Sequence, residues 1–174
     1  MLQGKGDLNQ NKGHPAVLVH FSDAKVYTGR TREHLTGVYR MVKLTAEMKD
    51  AFAKMKIFPV ATAAKDGTPN VVPIGVVELV ADDTIWITDN FMNKSLENLK
   101  ANPKIALYVW GPEIKGCFQI KGHASVKTSG KDFETMKANL NKKNPALPAR
   151  SLVIVRITDV FECKPGATAG AKLI

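Results

Sequence analysis

The chain has few cysteines and lacks a long apolar run. Its only two cysteines among 174 residues are Cys117 and Cys163, too few for a disulfide framework and typical of a reducing compartment. The longest apolar stretches, residues 71–77 and 105–110, fall far short of the roughly 20 residues that cross a bilayer. We therefore expect a cytoplasmic protein without a membrane association.

Several catalytic and metal-binding patterns are also missing. The sequence contains no CxxC or HxxH pair and no GxSxG turn, so zinc sites, iron–sulfur sites and serine hydrolase chemistry have no support. The net charge is +9, but the basic residues are scattered and no aromatic-rich strand carries them. Nucleic-acid binding is therefore disfavoured, and two interpretations of the charge stay open: a solvated basic surface and a local pocket for an anion.

The pattern along the chain changes near residue 40. Residues 1–40 hold five glycines and no long amphipathic period, whereas residues 41–174 are well patterned. We predict an N-terminal extension outside the core fold, residues 1–40, followed by a single domain, residues 41–174. A domain of this length buries a substantial hydrophobic core without the need for disulfides or a structural metal.

The patterned region predicts mostly short strands. Apolar residues spaced as on one helix face predict a helix over residues 44–55, and Asp66 and Gly67 predict a hairpin turn. Six strands are expected, at 59–64, 70–79, 84–89, 104–110, 116–127 and 151–161, with two further helices at 95–101 and 131–140. Long runs of strands with few helices between them favour a closed antiparallel barrel over a parallel sheet.

The most informative segment joins a strand to a helix. Residues 88–99 read TDNFMNKSLENL, and the helix begins at Lys94 and Ser95. Backbone N–H groups and the helix dipole make such a start an anion site, to which Lys94 adds a charge and Ser95 a hydroxyl donor. A serine at a helix start is more often a simple cap, so this segment alone is weak.

Five segments in order carry a family resemblance. They are AAKDGTPNVVPI at 63–74, IWITD at 85–89, NKSLENLKANPKIAL at 93–107, FQIKGHA at 118–124 and ARSLVIV at 149–155. With the opening helix they resemble the FMN-binding split-barrel superfamily of pyridoxamine 5'-phosphate oxidase-like flavoproteins, over about residues 44–161. The chain is most similar to the small single-domain FMN-binding proteins of that family.

The resemblance implies a mainly β (α+β) fold, a six-stranded antiparallel split barrel with a few short flanking helices. It also implies a homodimer with FMN at the interface. Lys94 and Ser95, with Asn93 beside them, would bind the phosphate. The ring and ribityl chain would contact Val72, Pro73, Ile74, Thr88, Asp89 and Asn90, and the partner would close the site with Trp110, Lys115, Gly116 and Cys117.

Residue chemistry agrees with part of this assignment. A flat ring needs an apolar slot, which Val72, Pro73, Ile74 and Met92 can form. Pro73 cannot donate to a ladder and marks a strand edge. No side chain is expected to act as a catalytic acid or base, and no metal is expected.

The function implied is flavin-dependent electron or hydride transfer by a small reductase, an oxidase-like enzyme or an electron carrier. True pyridoxamine 5'-phosphate oxidase activity is not expected, since residues 163–174 hold no Arg or His to match that enzyme's substrate-binding segment. Two alternatives stay open: the same fold using the deazaflavin F420, and a non-enzymatic binding module. The redox partner and substrate are not indicated.

Overall fold

The computed structural model of the chain describes residues 40–174. The predicted extension, residues 1–40, lies outside this range apart from Arg40, and it stays a prediction. The described part contains three helices and seven strands. In chain order they are α1 Ala46–Lys54, β1 Phe58–Ala63, β2 Pro69–Ile74, β3 Val77–Ala81, β4 Thr84–Asp89, α2 Lys94–Ala101, β5 Lys104–Val109, β6 Phe118–Lys127, α3 Lys131–Lys143 and β7 Ser151–Glu162.

All seven strands belong to one antiparallel sheet with the order β2-β1-β5-β6-β7-β4-β3. The two edge strands, β2 and β3, follow each other in the chain and are joined only by Gly75 and Val76. So short a link forces the two edges together, so the sheet curls into a barrel that is open along this seam. The N–H of Thr88 in β4 donates to the Val76 carbonyl at 3.0 Å, which continues the β3–β4 ladder into the link. The predicted split barrel is confirmed.

The strand count differs from the prediction by one. The run 70–79 was expected to be a single strand, but it divides at Gly75 and Val76. Its first half pairs with β1 and its second half with β4. A continuous apolar run contains no signal for a change of partner, so the break is visible only in the folded sheet.

The core fills the barrel and extends under α1. Met48 and Phe52 are buried, as the helical spacing predicts, and Thr45 caps the helix by accepting the Met48 N–H at 3.3 Å. At the predicted hairpin turn, Asp66 Oδ1 accepts the Thr68 N–H at 2.9 Å. A second apolar cluster places α3 against β7.

In the part of the chain described here, no helix is long and apolar enough to cross a membrane.

Candidate functional site

A cavity of about 270 Å³ lies beside the open seam of the barrel. Three segments enclose it: the end of β2 with the link to β3, the end of β4 with the loop that follows, and the first turn of α2. The lining residues are Val72, Pro73, Ile74, Gly75, Val76, Thr88, Asn90, Phe91, Met92, Asn93, Lys94 and Ser95. The cavity thus joins a strand edge to a helix start.

One wall of the cavity is apolar and belongs to an edge strand. Val72 and Ile74 are half-buried, and Met92 is 6% exposed. On the side away from β1, β2 has no neighbouring strand in the described sheet, so its backbone polar groups on that side remain available to a ligand. This wall can therefore accept a flat apolar group with hydrogen-bonding atoms along its rim.

The opposite end of the cavity is the start of α2. Asn93, the N-cap residue, makes no side-chain hydrogen bond to the helix, so the N–H groups of the first turn lack the usual side-chain acceptor. Lys94 Nζ lies 3.6 Å from Glu97 Oε2, and both side chains are about two-thirds exposed. So loose a surface pair contributes little, and Lys94 can turn towards an anion in the cavity.

The Ser95 side chain is fixed by a buried polar network. Its Oγ accepts a hydrogen bond from Asn70 Nδ2 at 3.0 Å, and Asn70 Nδ2 also donates to Thr62 Oγ1 at 3.1 Å. Asn98 Nδ2 donates to the same Thr62 oxygen at 3.1 Å, which ties α2 to β1 and β2. Ser95 is 2% exposed, and within residues 40–174 its hydroxyl proton has no acceptor. That proton is available to a bound anion.

Asp89 does not line the cavity and instead supports the loop that does. The side chain is 1% exposed, and its Oδ1 accepts from the Met92 N–H at 2.8 Å and from Arg150 Nη2 at 3.1 Å. Its Oδ2 accepts from Ser151 Oγ at 2.8 Å. Arg150 Nη2 also donates to the Met92 carbonyl at 3.1 Å. These contacts hold Met92 against the cavity.

Asn90 holds the loop that follows β4 in place. Its Oδ1 accepts the Ala149 N–H at 3.0 Å, which fixes the loop to the start of β7.

Acidic side chains lie near Lys94. Hydrogen bonds from Thr68 lower the pKa of Asp66 in the β1–β2 turn, and the positive charge of Lys94 acts in the same direction. Lys94 therefore lies within electrostatic range of two carboxylates, Asp66 and Glu97, which compete with any bound anion.

The structure brings most of the predicted site residues together. Nine of them line the one cavity: Val72, Pro73, Ile74, Thr88, Asn90, Met92, Asn93, Lys94 and Ser95. Trp110, Lys115, Gly116 and Cys117 lie between β5 and β6 and do not contribute to it. Trp110 is 56% exposed and Cys117 is buried. Their assignment to a partner's site stays a prediction.

Some residues at the site were missed by the sequence analysis. Gly75, Val76 and Phe91 line the cavity. Each of them lies next to or near a predicted site residue in the sequence, and this neighbourhood could have indicated them. Asn70 and Ser151 hold other site residues through direct hydrogen bonds, although they are distant from them in the sequence. Arg150, which the sequence offers as an interface cation, a ligand for a substrate anion or a partner in a salt bridge, forms an ion pair with Asp89. No local pattern links Ser151 to Asp89, which lies 62 positions earlier. Among residues 40–174, no three His, Cys, Asp or Glu side chains are grouped as a metal site.

Comparison with known proteins identifies relatives of the whole domain. The family profile described as pyridoxamine 5'-phosphate oxidase matches residues 44–164. An uncharacterised protein of Methanocaldococcus jannaschii is 35% identical over 136 residues, which cover 77% of this chain and 89% of that protein. The crystal structure of HupZ from Group A Streptococcus matches 73% of this chain and 99% of its own, with a TM-score of 0.63 and 26% identity.

A further solved structure, an FMN-binding protein from Syntrophomonas wolfei, has a TM-score of 0.56 and 21% identity, and the match covers 64% of this chain and 79% of that one. At this level of identity the likeness supports the fold. The same barrel therefore occurs in a protein that binds FMN.

Proposed function

The chain belongs to the pyridoxamine 5'-phosphate oxidase family, and from this premise we propose that it binds FMN in the cavity beside the barrel seam and uses it for electron or hydride transfer. One observation carries the proposal: the cavity joins an apolar strand edge to a helix start that has an available lysine and a buried hydroxyl. FMN has the matching parts, a flat ring at one end and a phosphate at the other.

The residues present fit the cofactor. Its phosphate carries a charge near −2, and the first turn of α2 would bind it through backbone N–H groups, the Ser95 hydroxyl and Lys94. Its ring would lie along Val72, Pro73 and Ile74, with the β2 backbone facing the polar rim and Met92 excluding water. When bound, FMN supplies the group that accepts and releases electrons or a hydride, and the protein contributes binding, orientation and electrostatics.

The exposure of two aromatic side chains supports a homodimer. Phe91, which lines the cavity, is 72% exposed, and Trp110 is 56% exposed. A second copy that covers these rings would complete the site, with Trp110 and residues 115–117 of the partner subunit closing it.

The cavity lining also bears on the reaction. Lys94 is the single basic residue among the lining residues, and the cofactor phosphate would occupy it. The same chain offers no second cation there for a phosphorylated substrate. Residues 163–174 also hold no Arg or His to match the substrate-binding segment of pyridoxamine 5'-phosphate oxidase, so we favour a small reductase or an electron carrier.

The first test is spectroscopic. We expect the purified chain to be yellow, with FMN released by denaturation in about a one-to-one ratio with chains, or to take up added FMN with quenching of flavin fluorescence. A colourless chain that takes up F420 instead of FMN would contradict the FMN proposal. A chain that takes up neither would favour a binding module without a flavin.

The second test locates the phosphate. We expect Lys94→Ala to weaken FMN binding about 10-fold, at the lower end of the effect of one charge-assisted hydrogen bond because the side chain is exposed. Lys100→Ala, in the last turn of the same helix, is the matched control and should leave the affinity unchanged. Fluorescence titration measures both. Equal affinities in the two variants would remove Lys94 from the site.

A further inference from the structure

The two cysteines of the chain lie directly opposite each other. In the β6–β7 ladder, Phe118 pairs with Glu162, and the ladder continues by one step because the Cys163 N–H donates to the Cys117 carbonyl at 2.7 Å. Cα atoms of such a hydrogen-bonded antiparallel pair are about 5.5 Å apart. Disulfides join Cα atoms about 4.4–6.8 Å apart, so the backbone spacing admits a bond between them.

The two thiols also share one face of the sheet. Side chains of directly opposed residues point to the same side, and Tyr108, two strands away from Cys163, reaches this face with its hydroxyl 2.8 Å from Cys117 Sγ. Cys163 Sγ lies 3.9 Å from the carbonyl oxygen of Phe161. Both cysteines carry free thiols. They form a cluster with Tyr108 outside the cavity described above.

We propose that Cys117 and Cys163 are a redox-modification site, a dithiol that low-molecular-weight disulfides such as glutathione disulfide convert reversibly to a cross-strand disulfide. The bond joins two thiols of the same chain and needs no atom of the flavin. Since the chain has no other cysteine, an internal disulfide has only one possible connectivity.

The exposure of the two cysteine residues sets the order of steps. Cys163 is half-buried, whereas Cys117 is 5% exposed, so the Cys163 thiolate attacks glutathione disulfide, forms a mixed disulfide and releases one glutathione thiolate. The Cys117 thiolate then attacks the Cys163 sulfur and releases the second glutathione. In total the two protein thiols lose two protons and two electrons, and glutathione disulfide gains the two electrons.

Tyr108 assists the second step. The hydrogen bond to Cys117 raises the pKa of Tyr108 to about 12, so the phenol keeps its proton and can donate it in a hydrogen bond to the Cys117 thiolate. Burial raises the pKa of the Cys163 thiol, which slows the first attack.

The position of the pair favours a reversible bond. Cβ atoms in a disulfide are about 3.8 Å apart, closer than a hydrogen-bonded cross-strand pair provides, so closing the bond draws the two strand ends together. Gly116, with a φ of 100°, precedes Cys117 and lies outside β6. A bond closed against this strain is readily reduced.

The test uses the full chain in buffers of increasing ratio of glutathione disulfide to glutathione. We expect the intact mass to fall by two hydrogens as the ratio rises, both cysteines to resist alkylation by N-ethylmaleimide, and dithiothreitol to reverse both changes. A peptide map should contain one linked peptide pair holding residues 117 and 163. Oxidised chains should unfold at a higher denaturant concentration, since the bond closes the loop between these residues.

Variants separate the steps. Cys117→Ser and Cys163→Ser should each gain at most one glutathione and form no internal bond. Tyr108→Phe should reach the same final state, with a mixed disulfide that lasts about 2- to 10-fold longer, the effect of one hydrogen bond. Three results for the wild-type chain would overturn the proposal: thiols that stay alkylatable at every ratio, a reaction that stops at the mixed disulfide, or a disulfide that links two chains. The wild-type measurement decides even if a variant fails to fold.

Discussion

Gly122 occupies a position in β6 where the neighbouring strand comes unusually close. A Cβ atom there would lie 2.5 Å from the Arg156 carbonyl oxygen and 2.7 Å from Val155 Cγ1. The β6–β7 register shifts between Lys121 and Gly122, and such a bulge bends the strand. The need for glycine therefore comes from close approach of the β7 backbone, and it maintains the curvature of the barrel.

We expect Gly122→Ala to lower the free energy of unfolding by about 1–3 kcal/mol, because backbone atoms cannot move aside as a flexible side chain can. The control is Gly75→Ala, where the nearest atom to an added Cβ is the Lys56 carbonyl oxygen at 3.9 Å and the change should stay below about 1 kcal/mol. Urea unfolding measures both. Similar losses in the two variants would contradict the close-approach explanation.

Asp89 also acts at the scale of a single residue. Its buried carboxylate accepts hydrogen bonds from three donors, and Asn would turn an N–H group towards donors. We expect Asp89→Asn to cost about 2–4 kcal/mol of unfolding free energy and to weaken FMN binding. Ser151→Ala removes one donor and should cost less, about 1–2 kcal/mol. The double variant should lose less unfolding free energy than the sum of the two single losses, since both changes affect one network. Additive losses would show that the two residues act separately.

At the scale of an element, the last residues of the chain extend the sheet. The Leu173 N–H donates to the Val160 carbonyl at 2.7 Å, and the Glu162 N–H donates to the Ala171 carbonyl at 2.8 Å. Lys172 forms an ion pair with Asp159 of β7. Strand β4 pairs only with residues 151–156 of β7. The segment thus covers a later part of β7 that β4 leaves unpaired.

The ion pair makes the attachment of this segment dependent on pH. The hydrogen bond from Lys172 lowers the pKa of Asp159, with smaller contributions from Thr158 and Lys121. A lowered pKa means that the stabilisation is present above the ordinary carboxyl value, about 3.9, and is lost as the pH falls through the lower folded-state pKa.

We expect Lys172→Ala to raise the pKa of Asp159 towards its ordinary value, as measured by a carboxyl-carbon NMR titration. Lys164→Ala removes an exposed lysine of the same segment that has no contact with Asp159 and should leave that pKa unchanged. An Asp159 pKa that stays low in Lys172→Ala would assign the effect to other groups.

At the scale of the whole molecule, exposed apolar side chains indicate a surface for a partner. Exposed apolar side chains, Val71 and Phe91 near the cavity and Trp110 after β5, are the kind of surface that a second copy buries. The proposed dimer, which would complete the proposed cofactor site, would link assembly to cofactor binding, since removing one should weaken the other.

We expect sedimentation to give about twice the 19.0 kDa chain mass. Trp110→Asp should shift the chain towards the monomer and weaken FMN binding at the same time. Leu173→Asp changes another exposed apolar residue, outside the predicted partner contacts, and should keep the dimer. A Trp110→Asp monomer that binds FMN as tightly as the wild-type chain would contradict a shared site.

The sequence by itself determined the elements and much of the site. Strand β4 was predicted at its exact bounds, and the helix start at Lys94 and Ser95, the hairpin at Asp66 and the core role of Phe52 were all predicted, because periodicity, caps and turn residues are local signals. Only the tertiary structure decided which distant residues meet. It divided the run 70–79 between opposite sheet edges, placed Ser151 against Asp89 and set Cys117 opposite Cys163. Pairing between distant strands depends on register and barrel closure, which no local pattern contains.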